Sequence, residues 1–256
     1  MKQDQRVPFD RALHRARVSV YADGEFVDQE SFMKATEIRR LAERAGIEPG
    51  VSVLDLCCGV AGPGRLITRE FGCAYLGVDS SADALAIARE RAADLPCRFE
   101  RARIPPVPDG PFGVVLLLEV MLAFPDKGQL VRAIAGALLA GGRFAFTLEE
   151  GAPLTPAERA RMPDADTVWL TPLEEMHGLL ERTGLAVRSE TECSREHRAV
   201  ADALIAAFIA DRADIVAQIG QRALDELVAA HRLWSEWLGS GRVRKFAIVA
   251  EKTAAG

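Results

Sequence analysis

The chain has 256 residues and a formal net charge of −5 at pH 7. An acidic chain without a Lys/Arg-rich run cannot neutralise a series of phosphates, so we expect neither nucleic acid nor an anionic membrane as a partner. The sequence has no apolar run of about eighteen residues, and its first ten residues lack the apolar core of a signal peptide. These features predict a cytoplasmic protein.

The five cysteines and four histidines show no disulfide or metal-binding pattern. The cysteine count is odd and no C-x-x-C pair occurs, so we interpret the adjacent Cys57 and Cys58 as small buried residues in a reducing compartment. No two histidines have the spacing of metal ligands on one helix, so we expect no metal site. These residues are Cys57, Cys58, Cys73, Cys97, Cys193, His14, His177, His197 and His231.

Apolar strands alternate with helical patterns along the chain, which predicts an α/β fold with a wound parallel sheet. Helical patterns are predicted between the first six strands. Thr155 and Thr171 are each followed by proline and then by glutamate at the third position, so both are predicted helix N-caps. The strands are predicted near residues 51–57, 73–79, 97–101, 112–119, 142–149, 185–192 and 243–251.

Two segments depart from this alternation. Residues 1–49 form a predicted helical extension that carries Tyr21 ahead of a helix through Ala42, and residues 195–240 form a predicted insert of two helices. Because insertions on a fold commonly choose the substrate, we expect specificity to lie there. No flexible linker or repeat interrupts the chain, so residues 1–256 are expected to form one domain.

The first predicted strand leads into a turn of small residues that opens a helix. Asp55 lies within the strand, and the turn Gly59-Val60-Ala61-Gly62-Pro63-Gly64 lets a ligand approach the backbone closely. Pro63 suits the first turn of the helix, where its missing N–H costs nothing. The turn approximates the dinucleotide fingerprint G-x-G-x-x-G, but Pro63 cannot donate a hydrogen bond to a pyrophosphate there.

The second predicted strand ends in a carboxylate, Asp79, twenty residues after Gly59. A carboxylate at this position of a doubly wound sheet accepts hydrogen bonds from ribose hydroxyls. The alternative is that Asp79 caps the next helix, with Ser80 or Ser81 as competing caps. The spacing favours ribose binding.

Read as D-x-x-x-G-x-A-G-P-G, residues 55–64 resemble motif I of the class I methyltransferases that use S-adenosylmethionine (SAM), especially their small-molecule branch. The segments 139–147 and 241–252 are similar to the entrance of the family's fifth strand and to its closing antiparallel strand. The resemblance implies a Rossmann-like sheet of seven strands, the last antiparallel, with a helical cap insert. It also implies SAM as the cofactor.

The resemblance carries further implications for single residues. The family has glycine where this chain has Cys57 and Ala61, and an aspartate that meets the adenine amine where it has Arg101. We therefore expect backbone around Ala102, or the side chain of Glu100, to make that contact. The predicted cofactor-binding residues are Asp55, Cys57, Gly59, Ala61, Gly62, Asp79, Ser80, Ala102 and Glu119.

Glu119 follows the fourth predicted strand, at the position that faces the sulfonium in this family. It is expected to line the cofactor pocket or to orient the substrate, with a strand-end salt bridge or cap as the alternative. The segment lacks an N-P-P-Y or D-P-P-Y tetrapeptide, which argues against a nucleic-acid base or a glutamine amide as methyl acceptor. A small-molecule acceptor is therefore predicted.

The second helix of the predicted insert has an apolar face that includes His231 and Trp234. An imidazole on such a face must find a partner or stay neutral, and near the sulfonium it could orient the acceptor or remove its proton. The alternative is a core histidine bonded to a backbone carbonyl. We take His231 as the candidate catalytic residue, and Tyr21 and Trp234 as candidate substrate contacts.

Two other functions stay open from the sequence. An NAD(P)-dependent oxidoreductase would use the same kind of turn, although Pro63 and the terminal strand disfavour it. A non-catalytic SAM-binding protein is the second alternative, because Cys57 and Ala61 depart from the family's pattern. The oligomeric state is not predicted.

Overall fold

The structure is a computed structural model that describes residues 12–163 and 165–253. Its centre is one seven-stranded sheet with the strand order β3-β2-β1-β4-β5-β7-β6. The pairs among β1 to β5 are parallel, and β7 runs antiparallel to both β5 and β6. The strands are β1 Ser52–Leu56, β2 Ala74–Asp79, β3 Cys97–Arg101, β4 Phe112–Leu117, β5 Leu138–Glu150, β6 Leu185–Glu192 and β7 Arg244–Lys252.

Helices cover both faces of this sheet, so its central strands are buried on both sides. Neighbouring residues of β1 therefore enter different cores: Val53 packs with α2 and α3, and Leu54 packs with α5 and α7. The helices are α1 Ala12–Ser19, α2 Ala35–Arg44, α3 Gly62–Phe71, α4 Ala82–Arg91, α5 Lys127–Ala137, α6 Pro156–Arg161, α7 Leu173–Arg182, α8 Ser194–Ala210, α9 Arg212–Ile219 and α10 Gln221–Ser240.

The predicted fold class is confirmed. All seven predicted strands are present, and the last one is antiparallel to its neighbours. The N-terminal extension contributes α1 and α2, whereas the prediction for residues 1–11 lies outside the described residues. The insert packs against α1 through a third apolar cluster that contains Ala16, Phe208 and Leu224.

Three local predictions are wrong. Residues 102–111 form no helix between β3 and β4, because Pro105, Pro106 and Pro108 remove helical N–H donors. The insert has three helices, since the chain breaks at Asp211 and at Gly220, where φ is +86°. Thr171 is not an N-cap, because it forms a parallel bridge with Glu150 and the helix begins two residues later.

Other local predictions hold. Thr155 caps α6 in a capping box with Glu158, and Pro63 lies in the first turn of α3. Cys57 and Cys58 are an exception, because these thiols were expected to be buried and are only half-buried. Among the described helices, none has the length and apolar character needed to cross a membrane.

Candidate functional site

Two cavities open at the carboxyl ends of β1, β2 and β4, where a doubly wound sheet binds its ligands. The larger cavity has a volume of about 860 Å³, and the smaller one about 260 Å³. The larger cavity is lined by the turn after β1, the end of β2, α4 and residues 28–33. Residues 29–31 and Glu119 line both cavities, so the two volumes meet at these side chains.

The turn after β1 has an unusual backbone. Cys57, Gly59 and Ala61 have φ values of +59°, +54° and +56°, in the left-handed region that favours glycine. Cys57 and Ala61 are the two positions where the family that the sequence resembles has glycine, so side chains here occupy backbone conformations that favour glycine. A Cβ on Gly59 would meet no protein atom within 4 Å, so the space beside this residue is free for a ligand.

Position 62 requires glycine because there is no space for a side chain. A Cβ there would lie 1.9 Å from the carbonyl oxygen of Val27, in the N-terminal extension. The start of α3 and the extension are therefore in direct backbone contact, which brings residues 28–33 over the larger cavity. Asp28 holds this arrangement through ion pairs with Arg65 at 2.6 Å and Arg91 at 2.7 Å.

Asp79 connects the end of β2 to the turn after β1. One carboxylate oxygen accepts a hydrogen bond from the N–H of Gly59 at 2.9 Å, and the other accepts one from Ser81 at 2.8 Å. Ser81, one of the two alternative caps, is the N-cap of α4. Asp79 therefore binds the N–H of the capping residue but is not the cap itself. The carboxylate lines the larger cavity and retains lone pairs for a ligand's hydroxyl groups.

Asp55 lies deeper in the same cavity. Its carboxyl group accepts a hydrogen bond from the hydroxyl of Tyr75 at 2.6 Å. Burial raises the pKa of Asp55 to about 7, with the charge of Asp79 adding to the shift. Burial also raises the pKa of the Cys57 thiol, to about 12, so this thiol is not a nucleophile at neutral pH.

The larger cavity brings together six of the nine predicted cofactor-binding residues: Asp55, Cys57, Gly59, Gly62, Asp79 and Glu119. The other three do not line it. Ala61 is fully buried before α3, Ser80 is exposed, and Ala102 donates its N–H to the carbonyl of Asp79 at 3.1 Å.

The smaller cavity brings together Tyr21, His231 and Trp234, the candidate catalytic residue and both candidate substrate contacts. The Nδ1–H of His231 donates to the carbonyl of Leu227 at 2.8 Å, which leaves Nε2 as an acceptor. Burial lowers the pKa of His231, so the imidazole is neutral at pH 7. His231 therefore makes the hydrogen bond to a backbone carbonyl that is expected of a core histidine, and it also lines a cavity as expected of a catalytic one.

Glu119 forms the strand-end salt bridge that was its alternative role, within a buried ionic cluster whose other members the sequence did not predict. Its Oε2 pairs with the ammonium group of Lys245, which also lies 3.1 Å from Glu149. Its Oε1 is 4.0 Å from Nδ1 of His197, whose Nε2 is 3.2 Å from Glu37. Although desolvation opposes ionisation, Lys245 and His197 hold the pKa of Glu119 below its usual value. Glu119 is therefore a carboxylate at the junction of the cavities.

The ligand atoms of Glu37, Cys193 and His197 lie within 4.8 Å of one another, the geometry of a possible metal site in the part of the chain that the structure describes. A thiol binds metal as the thiolate. Burial raises the pKa of Cys193 far above its usual value, and the thiol lies 3.4 Å from the carbonyl oxygen of Lys245. This chemistry does not favour a metal.

Comparison with known proteins identifies the family. A model described as a methyltransferase domain matches residues 53–142. Methyltransferase GfsG of Streptomyces halstedii is 28% identical over 182 residues, which are 66% of this chain and 65% of that protein. The 27-O-demethylrifamycin SV methyltransferase of Amycolatopsis mediterranei is 31% identical over 186 residues, which are 67% of this chain and 68% of that protein.

A solved structure shares the fold. Phosphoethanolamine N-methyltransferase 2 of Haemonchus contortus, in complex with SAM, superposes with a TM-score of 0.77 at 20% identity, covering 96% of this chain and 59% of that one. The comparisons do not support the oxidoreductase alternative. The cofactor of the family is SAM, and the free space beside Gly59 and the acceptor oxygens of Asp79 fit it. The chain belongs to the class I SAM-dependent methyltransferases.

Proposed function

We propose that this protein transfers the methyl group of SAM to a small-molecule acceptor in the smaller cavity. The observation that carries the proposal is the junction of the two cavities at Glu119. A methyl donor and an acceptor must lie side by side for an in-line displacement, and such alignment accounts for roughly 7 to 11 kcal/mol of a barrier. Two cavities that share a wall offer that arrangement.

The larger cavity would hold the cofactor. Asp79 would accept hydrogen bonds from the ribose hydroxyls, and the turn at Gly59 would lie against the ligand. SAM supplies an electrophilic methyl group on a positively charged sulfur. Glu119, a carboxylate at the junction, would complement that positive charge without needing to accept a proton.

The smaller cavity would hold the acceptor. Its rings belong to Tyr21, Phe26, Phe32 and Trp234, which shield the acceptor from water. His231 offers the neutral Nε2 as a hydrogen-bond acceptor for a nucleophile's proton. At about 260 Å³ the cavity lies below the range of drug-sized ligand pockets, which favours a small acceptor group.

We also propose that the chain acts as one functional unit, since the N-terminal extension and the helical insert both contribute to the smaller cavity. The five free thiols support a reducing, cytoplasmic setting. The acidic net charge supports small molecules over nucleic acids or anionic membranes as partners.

The test is an assay for S-adenosylhomocysteine, the demethylated cofactor, with SAM and a library of small hydroxyl, amine, thiol and carbon acceptors. The proposal expects acceptor-dependent formation of this product together with a methylated acceptor. Calorimetric titration with SAM and with NADH serves as the control and should give heat only with SAM. Tight SAM binding without turnover across the library would favour the non-catalytic alternative.

A further inference from the structure

The smaller cavity borders a buried cluster of carboxylates that share few cationic partners. Glu149 and Glu119 share the single ammonium group of Lys245, and the side chains of Glu149 and Lys245 are 2% and 4% exposed. Glu37 adds a third carboxylate to the same cluster through His197. Three carboxylates of this cluster therefore share one ammonium group and one imidazole.

Neighbouring cations are already engaged elsewhere. Lys127 donates to the carbonyls of Phe124 at 2.9 Å and Trp169 at 2.6 Å, and Arg17 pairs with Glu30 at 2.9 Å. The charge of Lys127 still acts on Glu149, but its ammonium group points to backbone carbonyls and forms no ion pair with the cluster. Burying unbalanced carboxylate charge is costly unless a cation or several donors meet it.

Two carboxylate oxygens of the cluster lack hydrogen-bond partners. Oε2 of Glu149 and Oε1 of Glu119 are buried and accept no hydrogen bond, although both residues line the smaller cavity. Buried polar atoms in folded proteins almost always have partners, so an unpartnered pair at a cavity points to a ligand with donors. Oε1 of Glu119 faces Nδ1 of His197 at 4.0 Å, so Oε2 of Glu149 is the atom that requires an N–H or O–H group from a ligand.

The aromatic lining distinguishes between these donors. Phe32 already lies 5.1 Å from the ammonium of Lys245, and the rings of Tyr21, Phe26 and Trp234 line the same space. Aromatic faces attract cations, whereas a neutral hydroxyl gains nothing comparable from them. A buried carboxylate with an unpartnered oxygen and aromatic faces together form the chemistry of a cation site.

We propose that the acceptor is a small molecule with a protonated amine, which binds in the smaller cavity to the free oxygen of Glu149 among the aromatic rings. This inference rests on the proposed function, because it defines the acceptor of the same site. It concerns recognition of the amine and leaves the identity of the methylated atom to the chemistry of the acceptor.

The test compares two isosteric probes, 2-phenylethylamine and 2-phenylethanol, by calorimetric titration into protein saturated with S-adenosylhomocysteine. The amine should bind at least tenfold more tightly than the alcohol. Glu149→Gln should remove most of this preference, because the amide has the same shape without the charge. Glu150→Gln is the matched control and should keep the preference, since Glu150 pairs with Arg244 outside the smaller cavity.

Equal affinity for the two probes, or no measurable binding of the amine, would overturn the inference. A preference that survives in Glu149→Gln would overturn it as well. The comparison of probes with the unaltered protein keeps the test valid if the variant does not fold. Saturating the protein requires a first titration with S-adenosylhomocysteine alone, which tests cofactor binding. A failure of cofactor binding is thus distinguishable from a failure of the amine site.

Discussion

The carboxylate of Asp79 accepts a hydrogen bond from the backbone N–H of Gly59 at 2.9 Å, so the end of β2 is fastened to the turn after β1. Both groups line the larger cavity. A ligand that reaches Asp79 therefore also meets the open backbone beside Gly59. This relationship allows the two residues to be tested separately, one through its charge and the other through its lack of a side chain.

Replacing the carboxylate should weaken cofactor binding. Asp79→Ala is expected to raise the Kd of SAM and S-adenosylhomocysteine at least tenfold, because each lost hydrogen bond to a charged acceptor is worth about 1.5 to 3 kcal/mol. Calorimetry provides the measurement. Asp94→Ala removes an exposed aspartate and should leave the Kd unchanged. Unchanged affinity in Asp79→Ala would show that the ribose is held elsewhere.

A side chain on the turn should exclude the cofactor without disturbing the core. Gly59→Val is expected to abolish SAM binding, because its side chain would project into space that no protein atom occupies. Gly50→Val provides a control for backbone strain, since Gly50 also has positive φ and an open neighbourhood but does not line the larger cavity. Both variants should lose similar stability, and normal binding by Gly59→Val would contradict the assignment.

Much of the fold was predictable because its signals are local. The alternation of apolar strands and helical patterns indicates a parallel sheet covered on both faces, and Val53 and Leu54 of β1 do enter opposite cores. The turn at Gly59 and the carboxylate at Asp79 were recognisable from spacing. Thr171 shows where prediction from local sequence fails. The local pattern predicts a helix N-cap, but Thr171 instead forms a bridge with Glu150, which is distant in the sequence.

A salt bridge of Glu119 was among the expectations, but its partners in the ionic cluster could not be predicted because they depend on strand register. Glu149 and Lys245 lie ninety-six positions apart in the sequence and become cross-strand partners only when β5 pairs with β7. Asp28 likewise has no motif around it, and its role depends on the distance to Arg65 and Arg91 after folding. Spacing along the chain carries no information about such contacts.

The ion pairs of Asp28 should control residues 28–33 above the larger cavity. Asp28→Ala is expected to raise the Kd of SAM roughly fivefold, about 1 kcal/mol, because two half-buried ion pairs are lost. Hydrogen exchange should become faster in residues 28–33. Asp214→Ala removes an exposed ion pair with Arg15 and should change neither quantity. Unaltered exchange and affinity would show that the segment is held by other contacts.

Asp55 should make stability depend on pH in a defined direction. Its folded-state pKa of about 7 lies above the value of about 3.8 for an unfolded chain, so the protonated form is favoured by folding. Its contribution to the free energy of unfolding is complete below pH 3.8 and is lost as the pH rises through 7. The loss is at most about 1.4 kcal/mol per pH unit. Asp55→Asn should flatten this part of the profile in urea unfolding without cofactor. The same slope in variant and parent would contradict a raised pKa.

His231 is the residue whose two interpretations separate most clearly by mutation. Glutamine keeps much of the size and a hydrogen-bonding end, so His231→Gln should preserve stability and SAM affinity but lower the rate of methyl transfer at least tenfold. His177→Gln, an exposed residue paired with Glu190, is the matched control. Because burial lowers the pKa of His231, its contribution to stability is complete above about pH 6.5 and declines as the pH falls through the folded-state pKa. Normal turnover by His231→Gln with the native acceptor would show that the imidazole has only a structural role. That role would be its packing and its hydrogen bond to the carbonyl of Leu227.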